Sequence, residues 1–281
     1  MKQLDLAQIQ NFITTIKDYY AKHKRHFDWR DNDDPYHVFI SEVMLQQTQT
    51  HRVIEKFAEF TTRFPTFNAL AQAPLVAVLA TWQGLGYNRR GKFLHQAAQI
   101  IIEKHGGVLP DNTAVLEELP GIGPATAASL AAFAYNRPTV FIETNIRAVF
   151  IHFFFNDRTD VHDKELFPLI EATLDRESPR QWYYALMDYG VMLKKKIINP
   201  SRRSKHHTQQ SKFEGSDRQI RGAVVRLLTT THTHIEQDLL VDEICLHPGI
   251  SAPPDRIHRI IEGLLQEKMV SRDKDNKIFI G

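Results

Sequence analysis

"LPGIGPATA", residues 119–127, decides the fold. Gly121 and Gly123 flank Ile122, and Pro124 stands where a helix can begin. Glycine reaches positive φ and keeps a side chain out of the path of an approaching group, and proline suits a first helical position. The helix-patterned "NTAVLEEL" (112–119) precedes the turn and the alanine-rich "ATAASLAAFAY" (125–135) follows it. Helix, tight turn and helix make a helix-hairpin-helix. Its backbone N–H groups form a site for a phosphate. Just beyond, "FIETNIRAV" (141–149) delivers one acid, Glu143, beside Thr144 and Asn145.

Outward from the hairpin, the first two hundred residues read as helix after helix. "DLAQIQNFITTIKDYYAKH" (5–23) has helical spacing, "WRDNDDPY" breaks it, and "HVFISEVMLQQTQTHRVIEKFAEFTTRF" (37–64) resumes the period as one stretch. "TFNALAQA" and "PLVAVLATW" are short helices, the second with Pro74 in its first turn, and "NRRGKFLHQAAQIIIEKHGG" (88–107) stops at glycines. No sustained strand alternation occurs here, so the class is all-α.

The polar, basic stretch 199–217 reads as a linker or extension between a domain at 1–198 and a tail at 218–281. In the tail, three helical patterns precede "VSRDKDNKIFIG", a short hairpin turning at "DKDN". That order predicts a winged-helix-like module. From Lys194 to Arg226 basic residues far outnumber Glu214 and Asp217, which suits phosphate contact or a solvated linker.

Composition excludes several classes. The 281 residues are 42% hydrophobic and 24% charged, with a net charge of +2, as in an ordinary globular protein. No apolar run approaches the roughly 20 residues of a membrane span, and the N-terminus lacks a secretory pattern. The expected location is the cytoplasm. The lone cysteine, Cys245, excludes an internal disulfide, a zinc knuckle and an iron–sulfur cluster, and it reads as a small buried hydrophobe. Adjacent His206 and His207, and "THTH" (231–234), lack metal-ligand spacing.

Five stretches together resemble the helix-hairpin-helix (HhH-GPD) superfamily of DNA glycosylases, and most closely its MutY branch. They are "HFDWRDNDDPYHVFISEVMLQQTQT" (26–50), "TWQGLGYNRRGKFLHQAAQII" (81–101), "LPGIGPATA", "FIETNIRAV" and "YALMDYGVML" (184–193). The resemblance implies two helical lobes, a duplex DNA partner carrying a mispaired or damaged base, a bacterial nucleoid setting and a monomer. It implies a monofunctional N-glycosylase, with adenine opposite 8-oxoguanine or guanine as first substrate. Another mispaired base, such as thymine or uracil opposite guanine, and a DNA-binding protein without catalysis stay open.

Cleaving a base from deoxyribose requires protonating the leaving base and stabilising an oxocarbenium-like sugar, work suited to two carboxylates. By resemblance, Glu42 protonates the flipped base and Glu143 stabilises the sugar cation. Read alone, Glu42 is equally a helix N-terminal acid favoured by the dipole. Trp29 and Arg30 match the base-pocket segment, Gln46 and Gln47 match residues inserted into the stack, and Asn145 and Ala125 line the same region. The backbone contacts implied are Gly121, Ile122, Gly123, Ala125, Thr126, Arg89, Arg90, Lys92, Lys194, Lys195, Lys196, Arg202 and Arg203. The resemblance also admits a monovalent cation at the hairpin.

The chain departs from the family in five places. Glu143 stands where aspartate is usual, adding one methylene of reach. Ala125 replaces both the Schiff-base lysine of bifunctional relatives and the Ser or Tyr of MutY, so strong lyase chemistry is not expected. Asn88 replaces a wedging tyrosine. "MDYGVMLKKKIINPSRRSKHH" carries none of the four cysteines that hold a [4Fe–4S] cluster, and its basic loop is expected to contact phosphates instead. The tail resembles a winged helix where relatives carry a module that reads 8-oxoguanine.

Overall fold

The computed structural model describes residues 6–231 and 234–281; His232 and Thr233 of "THTH" and Asp5 of the first helical pattern lie outside them. The order is α1 (Leu6–His23), α2 (Pro35–Leu45), α3 (Thr50–Arg63), α4 (Phe67–Gln72), α5 (Leu75–Trp82) and α6 (Asn88–His105). Then come α7 (Thr113–Glu117), α8 (Pro124–Tyr135), α9 (Thr144–Phe154), α10 (Asp163–Thr173) and α11 (Pro179–Lys196). A 3-10 turn at Pro200–Arg203 leads to α12 (Asp217–Thr231), β1 (Ile235–Glu236), α13 (Gln237–Cys245), α14 (Pro254–Gln266), β2 (Ser271–Arg272) and β3 (Lys277–Phe279).

The helical period read as continuous over 37–64 is two helices. Gln47 adopts a left-handed φ of 54° between them, which ends α2 and redirects the chain into α3. Elsewhere the local signals act as their chemistry requires. The Thr66 side chain caps α4 by accepting from the Ala69 N–H, Gly106 ends α6 at φ 61°, and Asn112 caps α7. Pro74 is the residue before α5, one position earlier than read.

The chain forms two compact units. The first comprises residues 1–39, 111–118 and 122–209. Here α11 packs on α1, α8 and α9, with Phe12 tilted against Phe150 and edge-on to Trp182, and Phe133 stacked on Tyr184 at 4.7 Å. Alanines 127, 128, 131, 132 and 134 of α8 are buried and let neighbouring helices approach closely.

The segment after α11 is tied to α9 within this unit. Ser201 Oγ donates to the Thr144 carbonyl at 2.9 Å, and Arg203 donates to the carbonyls of Phe155 (2.8 Å), Ile151 (3.4 Å) and Asn156. Backbone bonds join Val161 to Arg203 and Lys205.

The second unit comprises residues 40–110, 119–121 and 210–281. Leu79 of α5 shares one apolar core with Val224, Leu228, Leu240, Ile257, Ile261, Met269 and Ile278 of the tail. The tail runs helix, strand, helix, helix and a two-stranded hairpin, with sheet order β1-β3-β2 and antiparallel pairing throughout. This is the winged-helix topology. The strand β1 has no alternation in sequence and exists through pairing with β3. Cys245 is half-buried at the end of α13, not fully buried as read. No helix among the described residues is long and apolar enough to cross a membrane.

Candidate active site and DNA interface

The hairpin between α7 and α8 depends on Gly121. Its φ is 79°, and a Cβ there would sit 3.0 Å from the Phe93 side chain, so conformation and space both exclude a larger residue. Gly123 is extended and exposed, with open space where a Cβ would lie. It offers no side chain to cap α8, and Pro124 starts that helix. Ala125 is exposed, Thr126 half-buried and Ile122 buried. The turn therefore presents main chain at the positive end of α8, with Ile122 anchoring it.

Glu143 is the residue before α9. Its Oε2 accepts from the Asn145 backbone N–H at 2.7 Å. Its Oε1 is buried with no hydrogen-bond partner, and so is Oδ1 of Asn145. Two unpartnered oxygens in one turn are costly, each by about 1–3 kcal/mol, and in a native protein such groups call for an explanation. Lys194, in the last turn of α11, lies within electrostatic range of Glu143. Burial lowers the Lys194 pKa, and the Glu143 carboxylate opposes that shift. Gly190 makes room for this turn. A Cβ on it would lie 2.7 Å from the Asn145 Cβ and carbonyl oxygen. Sequence reasoning grouped Lys194 with the exposed phosphate contacts; the structure places it beside Glu143.

In the other unit, Glu42 is half-buried in the second half of α2, between buried Ser41 and Val43. Because α2 begins at Pro35, Glu42 is not the first-turn acid of the structural alternative, and the helix dipole gives it no support there. Gln46 donates to the Gly121 carbonyl at 3.3 Å, and Gln47 is exposed at the left-handed turn after α2. Tyr87, the residue before α6, is a second left-handed tip at φ 49°, followed by half-buried Asn88.

Three basic residues read as phosphate contacts hold protein carbonyls instead. Arg90 donates to the carbonyls of Val43 (2.7 Å) and Met44 (2.9 Å), to Thr48 Oγ1 (2.8 Å) and to Leu85 and Gly86. Its burial lowers its pKa to about 10. Lys92 is buried and donates to the carbonyls of Glu267 at 2.5 Å and Lys268 at 2.6 Å, closing the end of α14. Arg203 ties the last turn of α9, as described. A helix C-terminus carries partial negative charge, and cations satisfy it as they would a phosphate. Arg89, Lys195, Lys196 and Arg202 are exposed.

Arg30 is also committed. Its Nη1 and the Nε of Arg25 each donate to Asp188 Oδ1 at 2.8 Å, and the Arg25 backbone N–H donates to Oδ2. The guanidinium of Arg30 lies over Tyr184 at 4.3 Å. Trp29 is buried and stacks on Phe27 at 4.8 Å. Sequence reading missed Asp188 and Arg25: the acid stands in "MDYG", but its partners Arg25 and Arg30 lie 163 and 158 positions earlier. Among the described residues no group of three or more His, Cys, Asp or Glu gathers as a metal site. The residues after "MDYG" are a lysine-rich helix end and a hydrogen-bonded turn, a donor set without thiols that does not fit an iron–sulfur cluster.

Comparison with known proteins adds the following. Residues 40–171 match the family model described as HhH-GPD superfamily base excision DNA repair protein. The chain is 33% identical to the adenine DNA glycosylase of Buchnera aphidicola (subsp. Baizongia pistaciae) over 65% of this chain and 52% of that protein. It therefore spans about half the length of that relative. It is 29% identical to the adenine DNA glycosylase of Mycobacterium tuberculosis over 95% of this chain and 92% of that one, so this alignment includes the tail. A solved structure of a thermostable thymine-DNA glycosylase shares the fold at TM-score 0.61 and 22% identity, covering 71% of this chain and 93% of that one.

Proposed function

We infer that this chain, which resembles the MutY-type adenine DNA glycosylases of the HhH-GPD superfamily, is a DNA N-glycosylase of base excision repair. The observation that carries the reading is Glu143. One carboxylate oxygen fixes the side chain to the start of α9, and the other is buried without a protein partner. An anion held in that way suits a transient cation, and the oxocarbenium-like sugar is one.

In the proposed reaction the hairpin N–H groups of 121–126 hold a phosphate of duplex DNA, with exposed Arg89, Lys195, Lys196 and Arg202 adding cationic contacts. The target base leaves the stack, entering a pocket to which Trp29, Ala125 and Asn145 contribute, while Gln46 and Gln47 fill the gap. Glu42 donates a proton to the departing base as the glycosidic bond breaks, with the bonding electrons going to the base. Glu143 stabilises the resulting sugar cation. Water adds at the anomeric carbon and loses its proton to the carboxylate Glu42 has become.

Ala125 supplies no amine, so the product is an intact abasic site and lyase activity is little or none. The first substrate is adenine opposite 8-oxoguanine or guanine. Asn88 and Ala125, which differ from the family pattern, favour testing thymine or uracil opposite guanine as well. The enzyme works as a monomer in the bacterial cytoplasm, at the nucleoid. It carries no iron–sulfur cluster in this scheme, since one cysteine cannot supply four thiolates, and a monovalent cation at the hairpin is part of the same proposal.

Single-turnover cleavage of labelled duplexes, with and without hot alkali, tests this. The panel holds A opposite 8-oxoguanine, A opposite G, and T or U opposite G, beside Glu42→Gln and Glu143→Gln. Alkali-dependent cleavage of one duplex, lost in both variants, is expected. Duplex binding without cleavage anywhere would favour the non-catalytic DNA-binding alternative.

A further inference from the structure

Asn145 holds the Glu143 turn with its main chain and leaves its side chain unused. Its N–H donates to Glu143 Oε2 at 2.7 Å, while its own Oδ1 is buried without a partner. A buried acceptor in that state calls for a donor. The facing helix carries one. α11 packs along α9, and Gly190 meets Asn145 directly, since a Cβ there would lie 2.7 Å from the Asn145 Cβ. Residues four apart share one face of a helix, so Lys194 follows Gly190 on the face that meets Asn145. A helical side chain leans back over the turn before its own Cα, and for Lys194 that is the turn of Gly190. Its four-carbon stem reaches back about one turn, roughly 5.4 Å. Lys194 is half-buried, and the charged groups acting on it are Glu143, at the start of α9, and Arg25, in the segment after α1. From α1 itself Tyr19 packs edge-on against Tyr189, α8 carries no charged side chain, and Arg203 is engaged at the far end of α9. Glu143, Asn145, Gly190 and Lys194 lie in one compact unit.

Two acceptors without partners stand at this turn, Glu143 Oε1 and Asn145 Oδ1. Chemistry chooses between them. An ammonium bonded to Oε1 would offset the anion that a sugar cation needs. Bonded to Oδ1, it leaves Oε1 open and fixes the residue whose N–H holds Oε2. Bonds of this kind are often unmade in a free enzyme and close in the complex. We propose that Lys194 is a positioning residue whose ammonium bonds Asn145 Oδ1 in the DNA complex and so holds the Glu143 turn in place. The inference deepens the glycosylase reading above and rests on it for the role of Glu143. It takes Lys194 out of the set of phosphate contacts that residue type alone suggests.

The test uses the full chain with Lys194→Met, which keeps the stem and removes the cation, Lys194→Arg, Asn145→Ala and the Lys194→Met/Asn145→Ala double variant. Three readouts are taken: single-turnover cleavage at saturating protein across pH, affinity for undamaged duplex across salt, and exchange of the Asn145 amide in the duplex complex, which requires no cleavage. Lys194→Met should slow saturated cleavage roughly tenfold, the rate equivalent of one charge-assisted hydrogen bond. It should leave affinity and salt slope unchanged and speed the Asn145 exchange. In the Asn145→Ala background it should cost nothing further, because both changes remove one interaction. Burial lowers the Lys194 pKa, so the bond is present below that value and lost as pH rises through it. Arginine stays charged there. Lys194→Arg should therefore recover much of the rate and remain active at an alkaline pH where wild type falls off. An unchanged saturated rate, with a salt slope smaller by about one contact, returns Lys194 to the phosphates and overturns the proposal. An equal loss from Lys194→Met in the wild-type and Asn145→Ala backgrounds also overturns it. If wild type cleaves no duplex, faster Asn145 exchange in Lys194→Met keeps the bond and overturns the glycosylase reading; unchanged exchange overturns the bond in either case. Should Lys194→Met fail to fold, the alkaline comparison of wild type with Lys194→Arg decides alone, and coincident pH profiles refute the positioning role.

Discussion

Gly190→Ala tests whether the Glu143 turn is positioned by helix packing. A Cβ at 190 would lie 2.7 Å from both the Cβ and the carbonyl oxygen of Asn145, and 3.0 Å from its carbonyl carbon. Ordinary contacts begin near 3.4 Å, so the start of α9 and α11 must separate by about 0.7 Å, the difference between the two distances. Two of the three opposing atoms are backbone, so no side-chain rotation relieves the clash. Asn145 donates the N–H that fixes Glu143. Moving it carries the carboxylate along. A displacement approaching 1 Å at a reacting group costs roughly a hundredfold in rate, while overpacking costs about 1–3 kcal/mol of stability. Single-turnover cleavage and urea unfolding measure the two effects, and affinity for undamaged duplex is the control, since Gly190 makes no phosphate contact in this scheme. A rate within about threefold of wild type, a difference smaller than 1 kcal/mol, accompanied by the expected loss of stability, would refute the claim that this contact positions Glu143.

Asp188→Asn should cost about 3–5 kcal/mol in urea unfolding, because it strands the Arg30 guanidinium, only 3% exposed, without its carboxylate; a loss below about 1 kcal/mol would contradict the pairing. Asp163 accepts two bonds from Arg147, at 2.8 and 2.7 Å. Burial raises its carboxyl pKa, but Arg147 outweighs burial and holds it below the ordinary 3.8. A depressed folded-state value means stability present above the unfolded pKa and lost as pH falls through the folded one. Asp163→Asn should therefore be weaker by about 1–2 kcal/mol at neutral pH, with the gap closing in acid; a gap constant with pH would refute it. Lys92→Met should loosen the end of α14, read by amide exchange, and leave the salt dependence of duplex binding unchanged. Arg89→Ala should reduce that salt slope by about one phosphate contact, and the reverse pattern would reinstate Lys92 as a DNA ligand.

The fold was legible wherever a local rule decides it. Thr66, Asn112, Gly106 and Gly121 each act through one residue's own chemistry, and the helices they bound follow. What stayed hidden depends on distant partners. Nothing near Gln47 marks a break: "LQQTQT" has neither glycine nor proline, and the turn is braced by groups such as Arg90, which holds the α2 carbonyls of Val43 and Met44 from 47 and 46 positions away and the Thr48 hydroxyl from 42. The strand β1 forms two bridges to residues more than forty positions later.

The basic run after α11 shows why residue type alone undershoots the site. In sequence, Lys194 to Arg203 is a cluster of cations, and one reading, phosphate contact, serves them all. The structure divides it by burial. Lys194 is half-buried, and burial lowers its pKa while the Glu143 carboxylate opposes that shift. Lys195, Lys196 and Arg202 stay exposed, where a polyanion can reach them. Arg203 binds the carbonyls at the end of α9 while Ser201 binds the carbonyl at its start. The helix that begins beside Glu143 is thereby pinned at both ends by the stretch that follows α11. A guanidinium and a hydroxyl do this with directional hydrogen bonds, so the turn that holds Glu143 is braced without any thiol.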